Sequence, residues 1–148
     1  AQELGVSDRC FFIDAIPNEE LAKYFSWADC VCMPSRWEGF GMVMSEALAA
    51  GAVLVTSAIG PMTEFVRDRD NGLLVKDYEN PEALAQTIKT ACTDQDIRCV
   101  LKKNARSSVE CFEQSKVDAL EVSYYKKVLD MEQRGEFRRS IFQSIFGA

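Results

Sequence analysis

Apolar positions along the chain fall into short solid blocks separated by stretches with helical spacing. Cys10-Phe11-Phe12-Ile13 is the first block; residues 30–33, 52–56 and 72–75 are the next three. Apolar runs of this length without polar alternation read as strands of a parallel sheet buried on both faces. The third is rich in β-branched side chains, which pack well on a pleated surface. After the first block, Asn18 can cap a helix whose opening turn carries Glu19 and Glu20, with Leu21, Tyr24 and Phe25 at helical spacing. From Met42 to Ala50 only Ser45 and Glu46 are polar, which predicts a nearly buried helix over about 41–50, its Met and Ala positions in the core, ended by Gly51. Gly60-Pro61 opens a short helix containing Thr63, Glu64 and Phe65. Asp70-Asn71-Gly72 is a turn signal.

Asn80-Pro81-Glu82 combines a capping side chain, a proline at the first helical position and an acid in the first turn, so a helix starts there and continues through Leu84, Ile88 and Ala91. Two more helices are predicted over 94–113 and 115–133. Ile97, Val100, Leu101 and Ala105 stripe the first; Val117, Leu120, Tyr124 and Val128 stripe the second. Gly135 interrupts, and residues 137–146 carry an apolar stripe beside Arg138 and Arg139. That tail is expected to pack on protein rather than lie on a membrane. The implied organisation is one domain over 1–134 and an amphipathic tail over 135–148.

Strands alternating with helices give an α/β fold: a Rossmann-like, mainly parallel sheet with flanking helices and extra C-terminal helices. Ligands of such sheets sit beyond the C-terminal strand ends, where helices begin. The 34–46 segment occupies that position, and the loop 57–61 opens on the same side.

Composition narrows the chemistry. A chain of 148 residues with 47% hydrophobic content suits one domain with a packed core. A net charge of −6 and a pI near 4.8 argue against a nucleic-acid partner. No apolar run reaches the roughly 18 residues a membrane span needs, and residues 1–9 are too polar for a visible signal peptide. Six cysteines, at 10, 30, 32, 92, 99 and 111, form no C-x-x-C pair, and histidine is absent. No zinc cluster and no Ser/His/Asp triad can be assembled. Cys30 and Cys32 lie in a strand and act as small hydrophobes. Unpaired thiols point to a reducing compartment, the cytosol or the cytosolic face of a membrane. Neither metal nor organic cofactor is implied.

The chemistry-bearing stretch is Glu38-Gly39-Phe40-Gly41-Met42-Val43-Met44-Ser45-Glu46. Glycines at 39 and 41 let the backbone turn tightly and let a ligand approach the amides. A helix start attracts anions, because its unpaired N–H groups and its dipole both face outward. A carboxylate in an otherwise apolar helix must find a partner or keep a wet pocket open. Phosphates at the amides and hydroxyls at Glu46 together describe a nucleotide or a nucleotide sugar.

The ordered series Ala28-Asp29, Pro34-Ser35, Glu38-Gly39-Phe40-Gly41, Glu46-Ala47-Leu48-Ala49, then Ala58-Ile59-Gly60 followed by Glu64, Asp70-x-Asn-Gly-Leu-Leu-Val and Pro81-Glu82-Ala83-Leu84-Ala85 resembles the retaining GT-B-fold glycosyltransferases of family 4, the group 1 glycosyl transferases. The likeness covers about residues 3–92 and falls in the family's C-terminal, donor-binding domain. The resemblance implies that the domain over 1–134 is a partial nucleotide-sugar-binding domain. Its most specific feature is the pair of glutamates separated by seven residues with Gly-Phe-Gly between them.

The resemblance implies that Glu46 holds the donor ribose hydroxyls and that Glu38, in the catalytic position, faces the transferred sugar. Gly39, Phe40, Gly41, Met42 and Val43 would line the sugar and phosphates, with Ser35, Gly60 and Glu64 as further candidates. Charge-assisted hydrogen bonds of this kind contribute roughly 1.5–3 kcal/mol each. Arg36 and Trp37 are read as surface residues.

Two departures from the family pattern stand out. Ile59-Gly60 replaces the usual glycine pair, and the two strand–helix units that open the family's donor domain, with their diphosphate-holding basic pair, have no counterpart here. Those strands would lie between the strands matched by 10–13 and 30–33, so an open sheet edge or a gap is expected. The implied partners are a nucleotide sugar, an acceptor glycan, lipid or small molecule, and the N-terminal acceptor domain of a longer parent chain. The fragment alone is expected to be inactive. A non-catalytic nucleotide-sugar-binding or scaffold domain on the same half-fold stays open, as does a sugar-nucleotide epimerase of similar architecture.

Overall fold

A computed structural model describes residues 1–134; the predicted tail over 135–148 lies outside the described residues. The chain divides into a unit spanning Ala1–Val109 and a second beginning at Glu110.

The first unit is built on three parallel strands, β1 (Val31–Met33), β2 (Leu54–Ser57) and β3 (Leu73–Val75), in the order β1-β2-β3. Helix α1 (Asn18–Trp27) precedes β1, α2 (Met42–Ala49) joins β1 to β2, α3 (Gly60–Phe65) joins β2 to β3, and α4 (Pro81–Thr93) and α5 (Gln95–Ala105) follow. This is the α/β architecture with flanking helices that the alternating pattern predicts. β2 is paired on both edges and all its residues are buried. Alternation along it feeds two cores. Val53 and Val55 join Leu73, Val75, Ala91, Ile97 and Leu101 in one cluster. On the other side Leu54 lies against Gly72 and Val66.

The Asp70-Asn71-Gly72 turn is held from inside. Asn71 is fully buried; its Oδ1 accepts from the Arg67 N–H at 2.7 Å and its Nδ2 donates to the Phe65 carbonyl at 2.9 Å. Gly72 is required by packing, since a Cβ there would sit 2.7 Å from Val66 Cγ1. The Asn80 cap of α4 forms as its sequence predicts, accepting from the Glu82 and Ala83 amides.

Several expectations are corrected. Residues 10–13 form no strand: Phe11, Phe12 and Ile13 are 85%, 92% and 60% exposed. Cys10 keeps extended dihedrals (φ −112°, ψ 120°), so the local preference survives and only a hydrogen-bonded neighbour is lacking. β1 accordingly has an unpaired outer edge among the described residues, as the absence of neighbouring strand units leads one to expect.

Asn18 does not cap α1. Pro17 takes the N-cap position and its carbonyl receives the Glu20 and Leu21 amides, so Asn18 is already helical. The 94–113 helix ends at Ala105 and continues as 3-10 turns over Ser107–Phe112, with Val100 exposed.

In the second unit, α6 (Gln114–Gln133) matches the predicted 115–133 helix, and none of its residues is buried. Among the described residues no helix is long and apolar enough to cross a membrane.

Replacing Asn71 with Ala removes both side-chain bonds that hold the turn, from the Arg67 N–H and to the Phe65 carbonyl. A loss of about 1–3 kcal/mol is expected, read as a lower midpoint in urea unfolding with the slope unchanged.

Candidate functional site

The candidate site is assembled where β1 gives way to α2. Pro34 ends β1, and the Thr56 hydroxyl of β2 donates to the Met33 carbonyl at 3.0 Å, fixing the point at which the chain leaves the sheet. The loop then turns back through Gly41, which is the N-cap of α2 in a left-handed conformation (φ 78°, ψ 50°). A Cβ there would also fall 2.9 Å from Met62 Cε and 3.2 Å from its sulfur, so the end of the Met62 side chain would have to move.

The turn rests on α3 through two contacts. Gly41 sits under Met62, and the Phe40 ring meets the Phe65 ring edge-on, with centroids 4.9 Å apart. No side chain caps α2. An α-helix leaves its first amides without intrahelical acceptors, and here the residues that carry them, Met42 and Val43, face outward. Gly39 has no atom within 4 Å of where a Cβ would be, so the approach over it is open.

The sequence predicts α2 to be nearly buried, and the structure corrects this. Met44, Ala47 and Leu48 are buried, but Met42 and Val43 are 66% and 45% exposed, and Glu46 and Ala49 are exposed with them. Positions 42, 43, 46 and 49 form one stripe of the helix. The apolar composition of α2 therefore hides an outward face in which two hydrophobic side chains lead to a carboxylate.

Each predicted site residue can now be placed. Ser35 and Glu38 are brought together, the Ser35 hydroxyl donating to Glu38 Oε1 at 3.1 Å, with both side chains half-buried. Gly39, Phe40 and Gly41 form the turn. Met42, Val43 and Glu46 lie on the exposed stripe of α2. Gly60 opens α3 with free space around it, and Glu64 is exposed on the same helix. Arg36 is exposed, its guanidinium 3.9 Å from Glu79, and Trp37 beside it is 85% exposed, as surface residues should be.

Glu46 also stands at the mouth of a cleft of about 520 Å³ between α1 and α2. Leu21, Phe25 and Ala50 supply apolar wall, and Lys23 and Arg106 supply positive charge. The cleft runs along α2 from Glu46 towards Ala50, away from Gly41. Glu38 and the turn do not line it, so cleft and helix start share only Glu46. Apart from Lys23 and Arg106, the cleft is chiefly an apolar groove.

Sequence reasoning missed Met62 and Phe65 as the seat of the turn, and Lys23 and Arg106 as the cations nearest the Glu46 cleft. Only long-range packing brings these together. It also missed Ser57 at the end of β2, which is fully buried with its hydroxyl unpartnered among the described residues.

A family model for group 1 glycosyl transferases matches residues 1–108. A D-inositol 3-phosphate glycosyltransferase of Corynebacterium urealyticum is 32% identical over 139 residues, 94% of this chain and 32% of that protein. An uncharacterized glycosyltransferase of Methanocaldococcus jannaschii is 31% identical over 133 residues, 89% of this chain and 34% of that one. Among solved structures, a sucrose-phosphate synthase from Thermosynechococcus elongatus superposes with a TM-score of 0.78 at 33% identity, covering 88% of this chain and 33% of that one. The chain thus spans about a third of the length of these relatives.

Two stability outcomes are expected from this geometry. Gly41→Ala adds the left-handed backbone penalty of about 1–2 kcal/mol to displacement of Met62, so thermal unfolding should occur several degrees lower. Ser57→Ala removes an orphaned buried hydroxyl and should raise stability by about 1 kcal/mol in a chemical-denaturation series.

Proposed function

The chain belongs to the group 1 glycosyl transferases, and from that premise we propose that it is the donor-binding part of a retaining transferase. Such an enzyme moves a sugar from a nucleoside diphosphate sugar to an acceptor hydroxyl. The observation that carries this reading is the uncapped start of α2. There a left-handed Gly41, an open Gly39 and the exposed Met42–Val43–Glu46 stripe leave amides, apolar surface and a carboxylate facing the same solvent.

In this reading the diphosphate meets the first amides of α2 and the backbone of Gly39 and Gly41. The helix start offsets part of its charge, by about 0.3–1 kcal/mol per phosphate charge and more when partly buried. Glu46, one turn further along, accepts hydrogen bonds from the two ribose hydroxyls, while Met42 and Val43 cover the apolar faces of the nucleoside. Glu38 faces the transferred sugar. Its hydrogen bond from Ser35 restrains the carboxylate, so it reaches the sugar with one oxygen already held. Retention follows if the leaving phosphate itself accepts the proton of the incoming hydroxyl on the face it vacates; the protein then supplies orientation and charge stabilisation. Gly60 and Glu64, on the helix that seats the turn, border the same opening. The free thiols agree with a cytosolic location.

The relatives are about three times this length; in this reading the acceptor side belongs to further residues of a longer parent, and turnover is expected of that parent and not of these residues alone. The unpaired edge of β1 favours a second reading, a binding or scaffold module that holds a nucleotide sugar without transferring it.

The test is calorimetric titration of the chain with nucleoside diphosphates and their sugars. Glu46→Gln keeps the shape of the side chain and removes its charge, and should weaken binding about tenfold, or roughly 1.4 kcal/mol. Equal affinity in wild type and variant removes Glu46 from the site. Binding without turnover by a full-length parent selects the module reading.

A further inference from the structure

Away from the helix start, two of the six cysteines are brought to one point. Cys30 immediately precedes β1, and Cys92 lies in the last turn of α4. α4 packs back over β2 and β3, so its end comes to lie beside the strand beginnings. Arg98 fixes the juxtaposition. Its side chain is only 13% exposed, its Nη1 donates to the carbonyls of both Asp29 and Ala91 at 2.9 Å, and its Nη2 reaches Asp29 Oδ1 at 3.3 Å. Those carbonyls belong to the residues immediately before Cys30 and Cys92. A single nitrogen bonded to both holds them within about 5.8 Å of each other. Cys92 stands close enough to Cys30 to raise its thiol. Cys30 is half-buried against the Val53–Val55 cluster, whereas Cys92 is exposed.

We propose that Cys30 and Cys92 are a reversible dithiol that closes to a disulfide when the protein meets hydrogen peroxide. The exposed Cys92 sulfur attacks one peroxide oxygen, the O–O bond breaks, and the products are the Cys92 sulfenic acid and water. Cys30 sulfur then attacks Cys92 sulfur; the S–S bond forms, the S–O bond breaks, and hydroxide leaves as water with the proton from Cys30. Two thiols lose two electrons in all and one peroxide gains them. The order follows from the surroundings: burial, then the neighbouring Cys92 and Cys32, push the Cys30 thiol up to about 12, against a smaller opposing pull from Arg98. Cys30 therefore stays protonated and waits as the second partner, while Cys92 meets the oxidant. Burial raises the Cys32 thiol as well. Closure ties the end of α4 to the start of β1, the strand that leads into Ser35 and Glu38.

The full chain, reduced and then treated with a few equivalents of hydrogen peroxide, should drop from six titratable thiols to four. A non-reducing tryptic map should join the peptide of residues 24–36 to that of 90–98, and dithiothreitol should separate them. Cys32 shares the first peptide, so Cys32→Ser must keep the link, while Cys30→Ser and Cys92→Ser must lose it. Oxidation should raise the thermal midpoint of wild type and of Cys32→Ser only. The idea is overturned if all six thiols survive, if the link persists in Cys30→Ser, or if Cys92 proceeds to sulfinic acid with Cys30 still free.

Discussion

One constraint organises the molecule: β2 is enclosed on both edges and both faces. Pairing with β1 and β3 occupies both of its edges, and its alternating side chains face two sides of the sheet. A strand buried in this way must be short, and its ends must be finished by neighbours. The Thr56 hydroxyl finishes β1 by holding the Met33 carbonyl. The Ala58 amide finishes β3 by bonding the Val75 carbonyl. The strands therefore stop together, and the loops that leave them open on one side.

The turn into α2 inherits its shape from that common edge. β1 delivers the chain at a fixed point, Met44 and Leu48 must reach the core, and the path between them is short. A left-handed residue with no side chain satisfies both requirements, and Met62 and Phe65 of α3 complete the seat. The exposed stripe of α2 is a consequence. Once Met44, Ala47 and Leu48 face inward, helical geometry puts Met42, Val43 and Glu46 outward, whatever their hydropathy. Apolar side chains are thus left at the surface beside the uncapped amides, the arrangement a ligand with charged and apolar parts can use.

The thiols obey a different logic. Arg98 is nearly buried, and its guanidinium has two backbone carbonyls and a carboxylate to satisfy it, so its position is set by hydrogen bonding rather than by hydrophobic packing. Holding the α4 end against the start of β1 in this way makes neighbours of two cysteines that stand 62 positions apart in the chain. The start of α2 and the thiol pair lie beyond opposite ends of β1, and the strand is the covalent route between them.

Local signals were legible in advance wherever a few adjacent residues decide the outcome. The Asn80-Pro81-Glu82 start, the Asp70-Asn71-Gly72 turn, the glycine limits of α2 and the three paired strands all follow from side-chain chemistry within a turn or two. The motif residues Ser35, Glu38, Gly41 and Glu46 stand out through the ordered series that resembles the family, and the structure brings Ser35 to Glu38. Pairing and orientation could not. Residues 10–13 have the composition of a strand but no neighbour to hydrogen-bond with, and composition does not report on neighbours. The continuous apolar run of α2 concealed which face is buried, because a helix without polar periodicity carries no phase of its own. Only the tertiary structure could supply that phase, by choosing which side of α2 meets β2, and only it could bring Met62 to Gly41 or Cys92 to Cys30. The sequence by itself determined the elements and the chemistry they carry. Packing decided which of those groups face one another.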